Sequence, residues 1–360
     1  METPSKTVSS FSVNNSPEDL SLRINYMNEA IHFNKSSNAL EYTLVASIEP
    51  AIINGQKLAA TCVTGTFGRS YVGFHSKGEK IGGEILSIDV SIPEEPVILQ
   101  SAQSESFEFN DIFLSQDENK LWLCGDEKNS SGHQAFAMEF DIDENLAHAE
   151  NYNWSVNANA YSGNSITETV VDGESYLWFT SGSNGGLEVF DASNPTNIEF
   201  SFEASGTKHF DAGRSTGAVI FGTEENHSTV RVFDLNSTYS FTDYLIPYDV
   251  SQLGKNAIFV DRDLAYLAMG NSGLLVLNLR NGDIVASFKA EGGTANSVFV
   301  EKDFIYLAYG SAGLFILDKA NMESLGNWKY DGSCNFVFVD HETVYIANGD
   351  GEGFLILKKE

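Results

Sequence analysis

The apolar positions of this chain fall in runs of four to eight residues, separated by Gly, Asn, Asp and Pro. Such runs predict strands joined by tight turns; helices of comparable repeat length would show apolar residues at a 3.6-residue period. Three runs near the C-terminus stand almost in register: Asn256-Ala257-Ile258-Phe259-Val260, Asn296-Ser297-Val298-Phe299-Val300 and Asn335-Phe336-Val337-Phe338-Val339. A tyrosine stands ten residues after each Asn (Tyr266, Tyr306, Tyr345) and a glycine fourteen after it (Gly270, Gly310, Gly349). A second apolar run then ends in a polar residue, and that marker recurs at Asp89, Asp141, Asp191, Asp234, Asn278, Asp318 and Lys358. The steps between markers are 52, 50, 43, 44, 40 and 40 residues, which makes seven copies with insertions in the early ones.

A period of about 40–45 residues with four strands per copy predicts propeller blades. In copy six, strands A to D are expected at 295–300, 304–309, 313–318 and 323–329. Gly310 and Gly313 supply the positive φ of the B–C turn, and Asp318 bonds its own backbone at the start of the C–D turn. Copy seven stops after strand C, at Phe354–Leu357. Leu44-Val45-Ala46-Ser47-Ile48 matches the D strand of copy five, Ile284–Phe288, and has no A to C strands before it. The pattern therefore predicts an all-β fold, a seven-bladed propeller of four-stranded antiparallel blades over residues 39–360. Its N-terminal strand closes the last blade and leaves no sheet end unpaired there.

Residues 1–38 form an extension. The first fifteen are polar and expected to be poorly ordered. Ser16 then fits an N-cap, Pro17 the first helical position, and Glu18 and Asp19 the first turn. Leu20, Ile24, Met27 and Ile31 lie at helical spacing, so a short helix is predicted, ended by a loop at 34–38.

The stretch Ala265-Tyr266-Leu267-Ala268-Met269-Gly270-Asn271-Ser272-Gly273-Leu274-Leu275-Val276-Leu277-Asn278 resembles the repeat of the LVIVD family. Ile305 to Asp318 and Leu177 to Pro195 are similar to it, and Val344 to Leu357 less closely; copies one, two and four diverge. The resemblance covers about half of the chain. It implies a β-propeller of a kind often found on exported bacterial proteins, hence a cell-surface or periplasmic location and, in the full-length form, a lipid anchor. It implies no particular activity and no catalytic residues.

Hydrophobic residues make up 42% of the chain, enough for a substantial core, and 25 Phe and 14 Tyr favour strands. A net charge of −29 argues against nucleic acid and anionic membrane surfaces as partners. No apolar run approaches the roughly 18–20 residues of a membrane span. The start, Glu2-Thr3-Pro4-Ser5-Lys6, carries no signal-peptide pattern. Cys62, Cys124 and Cys334 lie far apart without a CxxC pair, so buried free thiols are expected rather than a disulfide framework or a zinc site.

Strand A of each blade lines the channel, so the residue that opens it recurs around one channel mouth. The candidates are Gln56, Asn110, Asn164, His209, Asn256, Asn296 and Asn335. They could hold water, an ion or a small polar ligand, or they could satisfy backbone groups between adjacent blades. Copy four departs from the repeat at Lys208-His209-Phe210-Asp211-Ala212-Gly213-Arg214. His209, Asp211 and Arg214 could serve acid–base chemistry or bind an anion, or mark repeat decay. The A–B turns are acidic, as at Asp261-Arg262-Asp263 and Glu301-Lys302-Asp303, but one turn per blade spreads the carboxylates too widely for a calcium site. No metal or cofactor is expected, and no nucleophile elbow, HExxH motif or P-loop is present. These observations favour a non-enzymatic binding or scaffold propeller that holds a protein or glycan at one channel face. The alternative is a hydrolase or lyase with its site at the channel mouth near blade four.

Overall fold

Seven sheets stand around one axis; strands A to D run outward in chain order in blades 1 to 6, while blade 7 takes A to C from the end of the chain and D from near its start. The computed structural model describes residues 11–33, 40–78, 80–129, 132–142, 154–158, 160–224, 227–237, 239–250, 255–350 and 353–360. The predicted strands of copy six are found at Ser297–Glu301, Phe304–Ala308, Leu314–Asp318 and Ser324–Trp328. Short turns set this regularity. Gly313 sits at φ 85°, where a Cβ would lie 2.0 Å from the Trp328 carbonyl oxygen, so only glycine fits. At the C–D turns the marker carboxylates cap their own backbone: Asp318 accepts from Ala320 N at 2.9 Å, and Asp191 accepts from Ser193 N at 2.8 Å.

The core is a ring of seams rather than one centre. Each apolar cluster lies between neighbouring blades, as where Tyr306 and Ile316 of blade 6 meet Val337 and Ile346 of blade 7. The seam between blades 3 and 4 is aromatic: Trp178 stacks on Phe210 with centroids 4.4 Å apart and planes 2° from parallel. All three cysteines are free and buried, and burial raises the Cys62 thiol to about 11 and that of Cys334 to about 12.

Closure is as the pattern predicts. Leu40–Ile48 pairs with Phe354–Lys359 as strand D of blade 7, with Ile48 opposite Phe354 and Leu44 opposite Leu357.

The N-terminal extension differs from expectation. Ser16 caps a helix, but that helix covers only Pro17–Ser21. Ile24–Phe33 is a strand, the fifth of blade 7, paired with Leu40–Ile48 and bulged between Tyr26 and Glu29. Its apolar residues do not share one face. Ile24 joins the seam between blades 7 and 1, whereas Met27, Ile31 and Phe33 join the seam between blades 6 and 7. An open sheet edge with unpaired backbone groups recruited the segment, and five-residue helix propensity could not compete. Ser12–Asn14 likewise adds a fifth strand to blade 1, beside Val97–Ser104. The remaining extension expectations, for residues 1–10 and the loop at 34–38, lie outside the described residues.

Candidate functional site at the channel mouth

Strand A opens with a β-bulge in blades 1, 2, 3 and 7, where the register skips one residue: Thr61, Asn110, Asn164 and Asn335. A bulge re-aims its extra side chain. Here the chain turns each toward the neighbouring blade. The Asn110 amide donates to Gly163 O at 2.9 Å, Asn164 to Thr207 O at 2.7 Å, and Asn335 to Ala60 O at 3.0 Å. Asn296 donates to Cys334 O at 3.0 Å, and the Thr61 hydroxyl to Phe109 O at 2.6 Å. Every one of these carbonyls belongs to the residue just before the next blade's ring position, so the ring is a set of inter-blade clasps.

This rule corrects two sequence-based positions. The Asn335 amide reaches Ala60 O, so blade 1 places Thr61 in the ring. Gln56 lies instead in a separate hairpin, Ile52–Ile53 with Gln56–Lys57. Tyr71, ten residues after Thr61, was the available signal for this assignment. The Asn164 amide reaches Thr207 O, so blade 4 places Lys208 in the ring rather than His209. Asn256 is 1% exposed, takes a φ of 51°, and does not line the cavity, whereas Asn110, Asn164, Asn296 and Asn335 do.

His209 belongs to the next layer down. Its Nδ1 accepts from Ile258 N at 3.4 Å, as the Asp111 carboxylate accepts from Ile166 N at 3.1 Å and Ser297 Oγ from Val337 N at 3.0 Å. Burial and the nearby Lys255 lower the His209 pKa to about 3, so its 3.8 Å approach to Asp111 is not an ion pair. Asp211 accepts from Val260 N at 2.7 Å, and burial raises its carboxyl to about 7. Arg214 lies exposed beyond the end of the strand. His209 and Asp211 therefore stitch blade 4 to blade 5, and the three residues form no catalytic constellation.

Above this layer opens a cavity of about 480 Å³ that draws side chains from all seven blades. Its charged groups are unevenly placed. On the side of blade 2, burial raises Glu108 to about 7 and Asp126 to about 6; Ser76 Oγ donates to Glu108, and Asn110 to Asp126 at 3.3 Å. His75, beside them, is lowered to about 4 by burial, with Lys255 and Lys77 adding to the shift. Lys208 lines the cavity from blade 4, with its pKa lowered by burial. Lys255, from blade 5, donates across the channel to Asn110 O of blade 2 and lies 5.6 Å from the Phe336 ring of blade 7. Sequence reasoning singled out neither lysine for a role.

No family model matches the chain, and no curated protein matches it. Its fold has solved neighbours. One is titled a crystal structure of RRP9 WD40 repeats, with a TM-score of 0.65 and 12% identity, covering 87% of this chain and 98% of that one. Another, titled the structure of U3-55K, has a TM-score of 0.64 and 13% identity, covering 86% and 98%. The shared feature is the propeller. Around the mouth of this one, Tyr161 stands 53% exposed beside the cavity-lining Ser162 and stacks on His133 at 4.7 Å. Such an exposed aromatic next to a cavity-lining residue suits contact with a macromolecule.

Proposed function

We propose that the protein is a non-enzymatic binding propeller whose recognition surface is the channel face formed by the D–A and B–C loops. The observation that carries this reading is the cavity at that face, lined from every blade, with the Tyr161–His133 stack next to its lining residue Ser162. Concave, preformed sites with a few placed polar groups are where ligands bind. The partner we favour is a protein or glycan met outside the cytoplasm, at a cell surface or in the periplasm, in keeping with the LVIVD-like repeat. The immobilised protein should retain a partner from an extract of its native envelope, and Tyr161→Ala should weaken retention about tenfold with an unchanged melting temperature. Retention that ignores Tyr161→Ala would remove this face from consideration, and an empty bait would remove the binding role.

A further inference from the structure

We infer that the channel-mouth cavity is a binding site for a small zwitterion, an amino acid or short peptide, whose carboxylate meets Lys208 and whose ammonium meets Glu108 and Asp126. The inference rests on the proposed binding role and names a ligand class for the same face.

Four features carry it. First, Lys208 occupies a position where five blades hold an asparagine and one a threonine, so a clasp has been given up for a charge. Second, the Lys208 ammonium has no ion-pair or hydrogen-bond partner among the described residues, although it is half-buried and its pKa is lowered by that burial. A cation withdrawn from water needs an anion, and the described residues supply none to it. Third, Lys255 reaches across the channel to Asn110 O, so its ammonium stands at blade 2 and leaves the blade 4 side of the cavity to Lys208. Fourth, Glu108 and Asp126 lie on blade 2 and Lys208 comes from blade 4. No ion pair joins Lys208 to either carboxyl group among the described residues, so the cavity presents an unpartnered cation on one side and carboxyl groups on the other. A volume of about 480 Å³ accommodates a ligand of this size, and a molecule charged at both ends satisfies both sides at once.

The test is calorimetry with free amino acids and dipeptides, set against dicarboxylates and diamines of matched length. At least one zwitterion should bind with one-to-one stoichiometry, and its matched dicarboxylate and diamine should bind at least tenfold more weakly. Lys208→Asn, which installs the residue of five other blades, should weaken zwitterion binding about tenfold or more without lowering the melting temperature. Lys208→Arg keeps the charge and should stay within about threefold of the wild type, and Glu108→Gln should lose affinity as Lys208→Asn does. No zwitterion binding at millimolar concentration, an unaffected Lys208→Asn, or a dicarboxylate that binds as tightly as the zwitterion would each overturn the inference. Tyr161-dependent retention of a macromolecule would survive that result, so the two readings fail separately.

Discussion

At the scale of residues, the polar groups along strand A do two different jobs at neighbouring positions. The bulged residue clasps the next blade's carbonyl, and the residue after it accepts a backbone N–H from that blade. This is how the channel wall satisfies backbone groups that strand pairing leaves over. Asp211 has a measurable consequence. Its carboxyl is raised from 3.8 to about 7 by burial, so the stabilisation it offers is complete below about pH 4 and is lost as pH rises through 7. Asp111, Glu108 and Asp126 act in the same direction; His75 and His209, lowered below 6.5, lose their contribution as pH falls. Asp211→Asn keeps an acceptor for Val260 N and removes the ionisation. Denaturant titrations should show it more stable than the wild type at pH 8, by on the order of 2 kcal/mol, and equal to it near pH 4. A variant that is weaker at pH 8 would mean that the ionised carboxylate itself holds the seam.

At the scale of elements, the N-terminal segment is a strap across the junction of blades 7 and 1. Arg23, between its helix and its strand, donates to both oxygens of Glu84, at 2.6 and 2.8 Å, and to Glu49 O. Glu84 is fully buried in strand C of blade 1 and also accepts from Ser101 Oγ and Ala51 N. Removing one partner of such a pair strands a charge in the interior. Arg23→Ala should therefore cost about 3–5 kcal/mol, read by urea denaturation, and adding Glu84→Gln should recover part of the loss. A cost under about 1 kcal/mol would place the pair with ordinary surface bridges. The strand's own sequence was misleading because Leu20, Ile24, Met27 and Ile31 keep helical spacing by coincidence, while their burial is divided between two seams.

At the scale of the whole molecule, stability depends on closing the ring. Strand D of blade 7 comes from residues 40–48, and Tyr42, Leu44, Val45, Ala46 and Ile48 are all buried there. A chain beginning at residue 40 keeps a four-stranded blade 7 and should fold, less stably than the full chain. A chain beginning at residue 49 leaves Phe354–Lys359 as an open apolar edge and should aggregate or melt without cooperativity. Size-exclusion chromatography and a thermal melt distinguish these outcomes. A monomeric 49–360 fragment with the full-length melting temperature would show that closure contributes nothing.

Blade number, the C-strand ends, strand Ile284–Phe288 and the closure by residues 40–48 were all legible in the sequence. These features depend on period-two apolar runs and turn residues, which are local and repeat down the chain. The ring positions of Asn110, Asn164 and Asn335 were legible for the same reason. Tertiary structure alone placed Lys208 in the ring, set His209 one layer below it, and carried Lys255 across the channel. It also made a strand of Ile24–Phe33. Each of these depends on a bulge, a bond to the neighbouring blade or an unpaired sheet edge, and those partners lie tens to hundreds of residues away in the chain.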